Sequence, residues 1–346
     1  MKETNCTVLI MAGGSGERFW PLSTKENPKQ LLKLIDPEKS LIRMTVDRVL
    51  PIIPEERIFI ATNAVQAKGV AQELPMIPIE NIIIEPAFKD TAAAIGFGAT
   101  RISENYPDST MIVLASDHLI KDEVAFQRSL ITAVECAQNE NAIVTLGIKP
   151  SRPETGYGYL EVAKESAKIG VPTKVKRFCE KPEYSKAIEY LESGNFLWNS
   201  GMFIFNIPVM MSAFEQLLPN HFQIFKQLDK IYDPFKLANL FQGFDKISID
   251  FGIMEKYNNT MVIPVDFGWN DIGSYTALED VYSPNENSNI VIGVTTKEVD
   301  SSNNIVISTT GKKISLLGVS DLVIVECDND IMICTKKEAQ NIKKLI

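Results

Sequence analysis

The first 150 residues alternate between two kinds of segment, and this alternation limits the possible folds more than any other feature of the sequence. Short apolar runs rich in β-branched residues are separated by longer amphipathic stretches. Strands that are apolar on both faces and alternate with helices are typical of a parallel sheet covered by helices. We therefore predict an α/β fold with a mostly parallel mixed sheet flanked by helices. The predicted strands are Val8–Ala12, Arg57–Thr62, Ile82–Glu85, Met111–Ser116 and Ile143–Gly147, and the predicted helices are Leu41–Leu50, Thr91–Glu104 and Val124–Ala137.

The character of the sequence changes twice after residue 150. Up to about Tyr282, glycine-rich polar loops are mixed with an alternating strand at Thr173–Glu180 and a helix at Glu183–Ser193. After Ser283 short strands follow one another, closed by a basic helix at Lys336–Ile346. Their regular spacing predicts a stack of strands, so we expect one domain at residues 1–283 and a small β domain at residues 284–346. The apolar positions that recur every nine residues are Ile305, Ile314, Val323 and Met332.

Charge and composition exclude several classes of protein. The chain has 35 Lys and Arg against 44 Asp and Glu, a formal charge of −9, which argues against broad binding to nucleic acid or to an anionic membrane. Its five cysteines are widely spaced without a C-x-x-C pair, so neither a disulfide framework nor a zinc site is indicated. No apolar window approaches the roughly 18 residues of a membrane span. We expect a cytoplasmic protein with no nucleic-acid partner and no membrane partner.

A glycine-rich turn follows the first predicted strand. Its sequence runs through Ala12, Gly13, Gly14, Ser15 and Gly16. Backbone amides in such a turn can approach an anion closely, which predicts a phosphate-binding loop. The turn lacks the lysine of a Walker A motif, and a phenylalanine replaces the third glycine of the dinucleotide fingerprint. Nearby Arg18 and Lys29 supply positive charge for a triphosphate, although a tight turn with surface basic residues is the alternative.

Two aspartates follow apolar strands at distant places in the sequence. Asp117 comes shortly after the strand that ends near Ser116, and Asp271 comes shortly after an apolar run that ends at Val265. If these strands are neighbours, the two carboxylates converge and can bind a hard divalent cation such as Mg²⁺ together with phosphate oxygens. Each aspartate can also be explained as a helix N-cap or a turn residue.

Three short motifs between these aspartates contain the groups that a sugar-phosphate site requires. They contribute Gly156 and Tyr157, the pair Glu180 and Lys181, and Asn199 within an apolar strand. Carboxylate, amide and backbone groups bind hydroxyls, and an ammonium binds phosphate. Asn199 is expected to offer both a donor and an acceptor. In the alternative interpretation, Glu180 and Lys181 are simply solvated ahead of Pro182.

Taken together, these ordered motifs closely resemble the mannose-1-phosphate guanylyltransferases of the sugar-nucleotidyltransferase superfamily. The resemblance implies a Rossmann-like nucleotidyltransferase domain followed by a short left-handed β-helix. It runs from residue 6 to about residue 282. It is carried by Met11–Leu31, Glu85-Pro86 through Thr91-Ala92, Leu114–Ile120, Gly147–Tyr159, Phe178–Pro182, Phe196–Phe205, Ile249–Lys256 and Ile263–Ser274.

The resemblance also implies a reaction and a set of site residues. GMP is transferred from GTP to α-D-mannose 1-phosphate with Mg²⁺ as cofactor, by in-line attack of the sugar phosphate on the α-phosphorus, giving GDP-mannose and pyrophosphate. The implied catalytic residues are Arg18, Lys29, Asp117 and Asp271, of which the two aspartates are the metal ligands. The implied nucleotide-binding residues are Ala12, Gly13, Gly14, Ser15, Gly16, Glu85, Pro86, Thr91 and Ala92. The implied sugar-phosphate residues are Gly156, Tyr157, Glu180, Lys181 and Asn199.

One residue departs from the family pattern beside the implied base pocket. Asp90 stands where members of the family commonly have an amide, and it adds negative charge there. Longer bifunctional members carry an isomerase domain for which 346 residues leave no room, so we expect the monofunctional short form and a homodimer. The alternatives are a guanylyltransferase for another manno-configured sugar 1-phosphate such as a heptose 1-phosphate, and a catalytically silent subunit that senses a GDP-sugar. A dinucleotide-dependent oxidoreductase is disfavoured by the broken fingerprint at Phe19.

Overall fold

A computed structural model of the protein describes residues 5–163 and 167–346. The described chain forms two compact units that are interleaved along the sequence. Unit 1 comprises the residues through Gly13, Thr45–Ser116 and Ile120–Trp269, and unit 2 comprises Gly14–Met44, Asp117–Leu119 and Asn270–Ile346. These units follow spatial grouping rather than chain order. The division of the chain at residue 283 therefore stays a prediction.

The secondary structure follows the alternation expected from the sequence. The strands are β1 Cys6–Met11, β2 Ile58–Asn63, β3 Ile82–Glu85, β4 Thr110–Ala115, β5 Leu119–Ile120, β6 Ile143–Ile148, β7 Tyr159–Glu161, β8 Thr173–Lys174, β9 Arg177–Cys179, β10 Phe196–Asn206, β11 Thr260–Val265, β12 Trp269–Asn270, β13 Ile290–Ile292, β14 Thr296–Val299, β15 Ile305–Ser308, β16 Ile314–Leu317, β17 Leu322–Cys327 and β18 Asp330–Thr335. The α-helices are α1 Leu41–Val49, α2 Ala67–Glu73, α3 Asp90–Ser103, α4 Glu123–Glu140, α5 Tyr184–Ser193, α6 Ile207–Leu217, α7 Pro219–Leu228 and α8 Pro234–Gln242. The 3₁₀ segments are Glu17–Phe19, Lys29–Leu31, Glu55–Arg57, Ile79–Asn81, Tyr275–Asp280 and Lys336–Leu345, and Asp250–Met254 is a π-helical turn.

Unit 1 is built on a mixed sheet with the strand order β3-β2-β1-β4-β10-β6-β11-β8. The pairs β3–β2, β2–β1, β1–β4 and β6–β11 are parallel, whereas β10 runs antiparallel to both β4 and β6. Within β1 and β4, Cys6 lies opposite Thr110 and Met11 opposite Ala115. The predicted α/β class with a mostly parallel mixed sheet is confirmed.

The core of unit 1 is formed where helices cover the buried strands. Helix α3 places Ala92, Ala93 and Ala99 toward the sheet, where they pack with Leu9 of β1 in one apolar cluster. Small side chains let a helix lie close to a sheet, so this face of the sheet is tightly packed. Within the described residues, no helix is long and apolar enough to cross a bilayer.

Two elements differ from the sequence prediction in their details. The single strand expected at Thr173–Glu180 is instead two short strands, because β8 pairs with β11 whereas β9 pairs with β7. Buried Val175 lies between them, where the chain changes its pairing partner. The basic closing helix predicted at Lys336–Ile346 is a 3₁₀ helix that ends at Leu345, and it buries Ala339 and Ile342.

Unit 2 contains a short stack of parallel strands. Strands β13, β15 and β17 pair in parallel, as do β14 and β16, and β18 returns antiparallel to β17. Ile305 lies opposite Val323 and Ile314 lies opposite Thr296, so paired positions are 18 residues apart. Residues nine apart, such as Ile305 and Ile314, therefore lie alternately in the β13-β15-β17 sheet and in the β14-β16 pair. This arrangement confirms the predicted β-helical character of the tail.

Candidate functional site

The predicted site residues fall into two groups. One group lies in unit 2 and contains Arg18, Lys29 and the two predicted metal ligands, Asp117 and Asp271. The other group lies in unit 1 and contains Glu85, Glu180 and Asn199.

The part of the glycine turn that lies in unit 2, Gly14 to Gly16, is built together with the segment that carries Lys29. Gly16 has a φ of 64°, and a Cβ at this position would lie 2.5 Å from the Cβ of Lys29 and 2.7 Å from its backbone nitrogen. No other residue type fits such a close approach. Ser23 Oγ donates a 2.7 Å hydrogen bond to the Gly16 carbonyl, and Gln30 Nε2 donates one of 3.2 Å to the Gly14 carbonyl. The close packing of Lys29 against Gly16 thus fixes its position beside the turn.

Lys29 joins the two predicted metal ligands. Its side chain is buried, and its ammonium donates to Asp117 Oδ2 at 2.8 Å and to the main-chain oxygen of Asp271 at 2.7 Å. Lys29 thereby holds Asp117, which lies 88 residues further along the chain, and Asp271, which lies 242 residues further along. Lys29 was expected to bind a triphosphate, and its role in ordering both aspartates was not foreseen.

The aspartates come together by a different route from the one the sequence suggested. Strands β4 and β11, which precede Asp117 and Asp271, are separated in the sheet by β10 and β6. The expectation that Asp117 and Asp271 follow neighbouring strands is therefore wrong. Lys29 supplies the connection instead.

The electrostatics of this group favour an ionised Asp117. Burial opposes ionisation, but the nearby Lys29 ammonium and His118 outweigh it and hold the pKa of the Asp117 carboxyl below its ordinary value. The backbone after Asp271 is strained, because the buried, β-branched Ile272 has a φ of 44°. The amide of Ile272 donates to Asn270 Oδ1 at 2.7 Å, which fixes this turn.

The oxygen atoms of Asp117 and Asp271 determine which metal ion this group can bind. Asp117 and Asp271 offer hard carboxylate oxygens, the ligand type that Mg²⁺ prefers. No cluster of three or more His, Cys, Asp or Glu side chains suited to a metal ion occurs in residues 5–163 and 167–346. The two carboxylates fit Mg²⁺ when substrate phosphates supply further oxygens, as is usual for this ion.

Arg18 lies on the exposed surface of the same unit. Its Nη1 donates a 2.9 Å hydrogen bond to Gln340 Oε1 in the C-terminal 3₁₀ helix. Among the residues the structure describes, Arg18 forms no ion pair with a carboxylate. Its positive charge is thus left for an anionic ligand.

In unit 1, Glu85 ends strand β3 beside the first glycine of the turn. Its carboxylate oxygen Oε1 lies 3.6 Å from the place of a Cβ on Gly13, and Thr62 Oγ1 holds the carbonyl of Ala12 at 3.0 Å. Burial raises the pKa of Glu85 to about 7. Partly buried Pro86 follows it directly. A carboxyl group poised near neutrality therefore borders the start of the turn.

The other predicted nucleotide-binding residues begin helix α3. Thr91 Oγ1 accepts a 2.8 Å hydrogen bond from the amide of Ile249, and the amide of Ala92 donates to the carbonyl of Ile247 at 3.2 Å. Asp90, with a φ of 69°, accepts from the amide of Thr91 at 2.8 Å. These contacts hold the segment that leads into Asp250. Nucleotide binding by Thr91 and Ala92 stays a prediction.

Asn199 is held in one orientation by three partners. Its Nδ2 donates to Asp250 Oδ1 at 3.0 Å, while its Oδ1 accepts from Thr145 Oγ1 at 3.0 Å and from the amide of Gly201 at 3.2 Å. An amide oxygen has two acceptor sites, and both are used here. Asn199 therefore offers a ligand one N–H donor, and the expectation that it also offers an acceptor is wrong.

Glu180 lies beside Asp250 and Gly158. A Cβ on Gly158 would lie 2.5 Å from Glu180 Oε2, so a side chain there would displace the carboxylate. Burial, and then the charge of Asp250, raise the pKa of Glu180 to about 7 against the opposing charge of Lys181. Burial, opposed by Lys181 and by the Asn199 hydrogen bond and reinforced by Asp90, raises the pKa of Asp250 to about 6.

Asp250 and Gly158 were missed as site residues at the sequence level. Asp250 begins the π-helical turn Asp250–Met254, a feature that is frequent at functional sites. The available signal was one acidic residue in the otherwise apolar run from Ile249 to Met254. For Gly158 the signal was its place in the repeated Gly-Tyr pattern after Gly156.

The remaining predicted sugar-site residues line the same region of unit 1. The amide of Gly156 donates to Glu154 Oε1 at 2.9 Å. The Tyr157 ring lies 5.2 Å from the rings of both Trp198 and Trp269. Lys181 is exposed and has a φ of 43°, a rare conformation for a residue other than glycine. Aromatic faces, carboxylates and one ammonium are thus gathered in unit 1.

Comparison with protein families gives two matches along the chain. Residues 7–288 match the family described as nucleotidyl transferase. Residues 296–346 match the MannoseP isomerase/GMP-like beta-helix domain. Together the two matches account for most of the chain.

Several named proteins are similar over nearly the whole chain. The alginate biosynthesis protein AlgA of Pseudomonas aeruginosa is 32% identical over 354 residues, covering 98% of this chain and 71% of AlgA. The mannose-1-phosphate guanylyltransferase RfbM of Salmonella typhimurium is 34% identical over 351 residues, covering 98% and 71%. A crystal structure from Thermus thermophilus, described as a mannose-1-phosphate geranyltransferase, has a TM-score of 0.87 and 32% identity and covers 100% of this chain and 98% of that one.

Proposed function

Because the chain belongs to the nucleotidyl transferase family, where its relatives include bacterial mannose-1-phosphate guanylyltransferases, we propose that it transfers GMP from GTP to α-D-mannose 1-phosphate. The products are GDP-mannose and pyrophosphate. The observation that carries the proposal is the cluster in which buried Lys29 contacts both Asp117 and Asp271 behind a glycine turn. This cluster combines the positive charge and the hard oxygen ligands that a triphosphate requires.

The groups of unit 2 handle the triphosphate of GTP. The amides of the glycine turn, together with Arg18 and Lys29, neutralise its charge and that of the departing pyrophosphate. Lys29 is suited to this task because the Gly16 contact and two hydrogen bonds already fix its side chain. A preorganised cation costs little to order when charge develops in the transition state.

Asp117 and Asp271 are the residues that would hold Mg²⁺. Mg²⁺ held by these two residues would supply Lewis-acid chemistry, by withdrawing charge from phosphate oxygens. Lys29 keeps Asp117 ionised and oriented, because its ammonium lies 2.8 Å from the carboxylate. The ionised form is the one that binds a cation.

The sugar phosphate binds at the carboxylates of unit 1. A sugar 1-phosphate is anionic at neutral pH, so its attack on the α-phosphorus needs no general base. Glu180 and Asp250 therefore serve in recognition, as acceptors for ring hydroxyls, while Asn199 gives one donor. Lys181 supplies positive charge for the sugar's phosphate group.

Glu85 is the residue that we expect to select guanine as the base of the nucleotide. Guanine carries adjacent N1–H and N2–H₂ donors, which a carboxylate can accept together, whereas adenine lacks this pair. The buried setting of Glu85 beside Gly13 makes such a contact selective, because an unmatched buried carboxyl group loses its partner.

The experiment is a matrix of initial rates. Mannose, glucose and heptose 1-phosphates are each combined with GTP, ATP, UTP and dTTP in the presence of Mg²⁺. We expect the highest kcat/KM for mannose 1-phosphate with GTP, with roughly 5- to 150-fold losses when one matched hydroxyl or donor pair is absent. A preference for a heptose 1-phosphate would identify another guanylyltransferase, and binding of GDP-mannose without turnover of any pair would identify a silent subunit.

A further inference from the structure

The C-terminal 3₁₀ helix connects two parts of the phosphate-handling group in unit 2. Gln340 accepts a 2.9 Å hydrogen bond from Arg18 Nη1, and its Nε2 donates to Ser274 Oγ at 3.3 Å. Ser274 lies three residues after Asp271, and its hydroxyl is paired at 2.9 Å with that of Thr276. A single amide thus bridges the arginine after the glycine turn and the loop that carries Asp271.

The position of Gln340 is fixed by its neighbours in the helix. Ala339 and Ile342, three residues apart, are buried on one face of the 3₁₀ helix, in the same apolar cluster as Phe19 and Tyr275. Tyr275 also donates a 2.8 Å hydrogen bond to the carbonyl of Phe19, the residue after Arg18. The helix and the Arg18 segment therefore share one core.

The start of the helix is anchored as well. The amide of Lys336 donates to the carbonyl of Asp321 at 2.8 Å, and its ammonium contacts Glu279 and Asn303. Because both the start and the buried face of the helix are held, Gln340 presents its amide to Arg18 from a rigid support. An exposed side chain in a fixed position can orient a partner at low entropic cost.

The neutral amide of Gln340 can orient Arg18 without cancelling its charge. A glutamine oxygen accepts from a guanidinium without removing its charge, whereas a carboxylate would neutralise the charge in an ion pair. An arginine that must bind phosphate needs to be aimed yet kept cationic. A neutral amide meets both requirements.

We propose that Gln340 is a positioning residue that aims Arg18 at the leaving pyrophosphate, which makes the C-terminal helix part of the phosphate-handling machinery. The inference rests on the proposed function of Arg18.

The test compares two substitutions at one position. Inorganic pyrophosphate is titrated by calorimetry into the full chain with Mg²⁺ present, and KM is measured separately for GTP and mannose 1-phosphate. Gln340→Ala should raise the Kd for pyrophosphate and the KM for GTP by about three- to tenfold, the usual range for one exposed polar contact to a charged group, and leave the KM for mannose 1-phosphate unchanged. Gln340→Glu should weaken binding further, because it retains an acceptor and neutralises Arg18.

A double-mutant cycle separates positioning from simple packing. In an Arg18→Ala background, Gln340→Ala should have no further effect on pyrophosphate binding, since the group it positions is gone. Asn341→Ala, which removes a neighbouring amide that bonds to Glu338 on the same helix, is the matched control and should bind normally.

Three results would overturn the inference: unchanged binding in Gln340→Ala, a milder effect for Gln340→Glu than for Gln340→Ala, or an undiminished effect without Arg18. If the unmodified protein turns over GTP and one of these results is found, the inference alone fails. If the unmodified protein neither binds pyrophosphate nor turns over GTP, the proposed function fails with it.

Discussion

The ammonium of Lys29 lies 2.8 Å from the carboxylate of Asp117, a residue 88 positions further along the chain. Lys29 is 6% exposed and Asp117 is partly buried, so solvent screens this pair only in part. The pair is also held by the second Lys29 contact, to the carbonyl of Asp271. One lysine thus balances the charge of one aspartate and fixes the backbone of the other. This arrangement underlies the first two predictions.

Lys29→Ala should reduce catalysis in both directions. Forward turnover of GTP and the reverse reaction of GDP-mannose with pyrophosphate share one transition state, so both kcat/KM values should fall by on the order of 10²-fold or more. Exposed Lys33→Ala is the matched control and should be near normal. If only the KM for mannose 1-phosphate changed, Lys29 would belong to sugar binding and the assignment would be wrong.

Asp271→Asn tests the metal assignment. A neutral amide replaces an anionic oxygen ligand, so kcat should fall by on the order of 10²-fold or more at saturating Mg²⁺ while the fold is retained. Circular dichroism checks the fold, and the same change at exposed Asp266 serves as control. Near-normal turnover of Asp271→Asn would exclude this carboxylate as a ligand.

The Asn199–Asp250 contact should determine sugar selectivity. Asn199→Ala removes the fixed donor and its hydrogen bond to Asp250, so the preference for mannose 1-phosphate over glucose 1-phosphate should shrink by roughly 5-fold or more. The KM for GTP should change little. Asn220→Ala, at an exposed amide of α7, should leave the preference intact. An unaltered preference in Asn199→Ala would remove Asn199 from sugar recognition.

Asp250 should also make folding stability depend on pH. Because its pKa is raised from 3.8 to about 6, the folded state holds this proton more tightly than the unfolded state. The resulting stabilisation is complete below the unfolded pKa and is lost as the pH rises through about 6. In urea unfolding from pH 4 to 8, Asp250→Asn should gain stability relative to the unmodified protein as the pH rises.

The control for this pH series is exposed Asp108→Asn, whose stability relative to the unmodified protein should not follow the same course. A pH-independent difference between Asp250→Asn and the unmodified protein would contradict the raised pKa. Burial, and then the charge of Asp250, raise the pKa of Glu180 to about 7, which extends the pH dependence of the unmodified protein to higher pH.

The sequence predicted the elements that depend on local pattern. Short apolar runs such as Cys6–Met11 form buried strands, because a run of this length that is apolar on both faces is stabilised by burial inside a sheet. The glycine turn was predictable from its local run of glycines, although the neighbour that requires glycine at position 16, Lys29, became visible only in three dimensions. Phosphate binding by this turn stays a prediction. The homodimer stays a prediction.

Features that depend on tertiary partners were not predictable. Both acceptor sites of Asn199 Oδ1 are occupied by hydrogen bonds from Thr145 and Gly201. The raised pKa of Asp250 results mainly from burial. Neither follows from residue type or spacing. The bridge from Gln340 to Arg18 spans 322 positions and carries no local sequence signal at all.

Product analysis shows whether the protein carries out nucleotidyl transfer with release of pyrophosphate. The full chain is incubated with Mg²⁺, mannose 1-phosphate and GTP labelled at the α-phosphate, and the products are separated and counted. We expect the label to appear in GDP-mannose and one pyrophosphate to be released per molecule of GDP-mannose formed. Binding of both substrates without labelled GDP-mannose, or release of orthophosphate in place of pyrophosphate, would contradict this expectation.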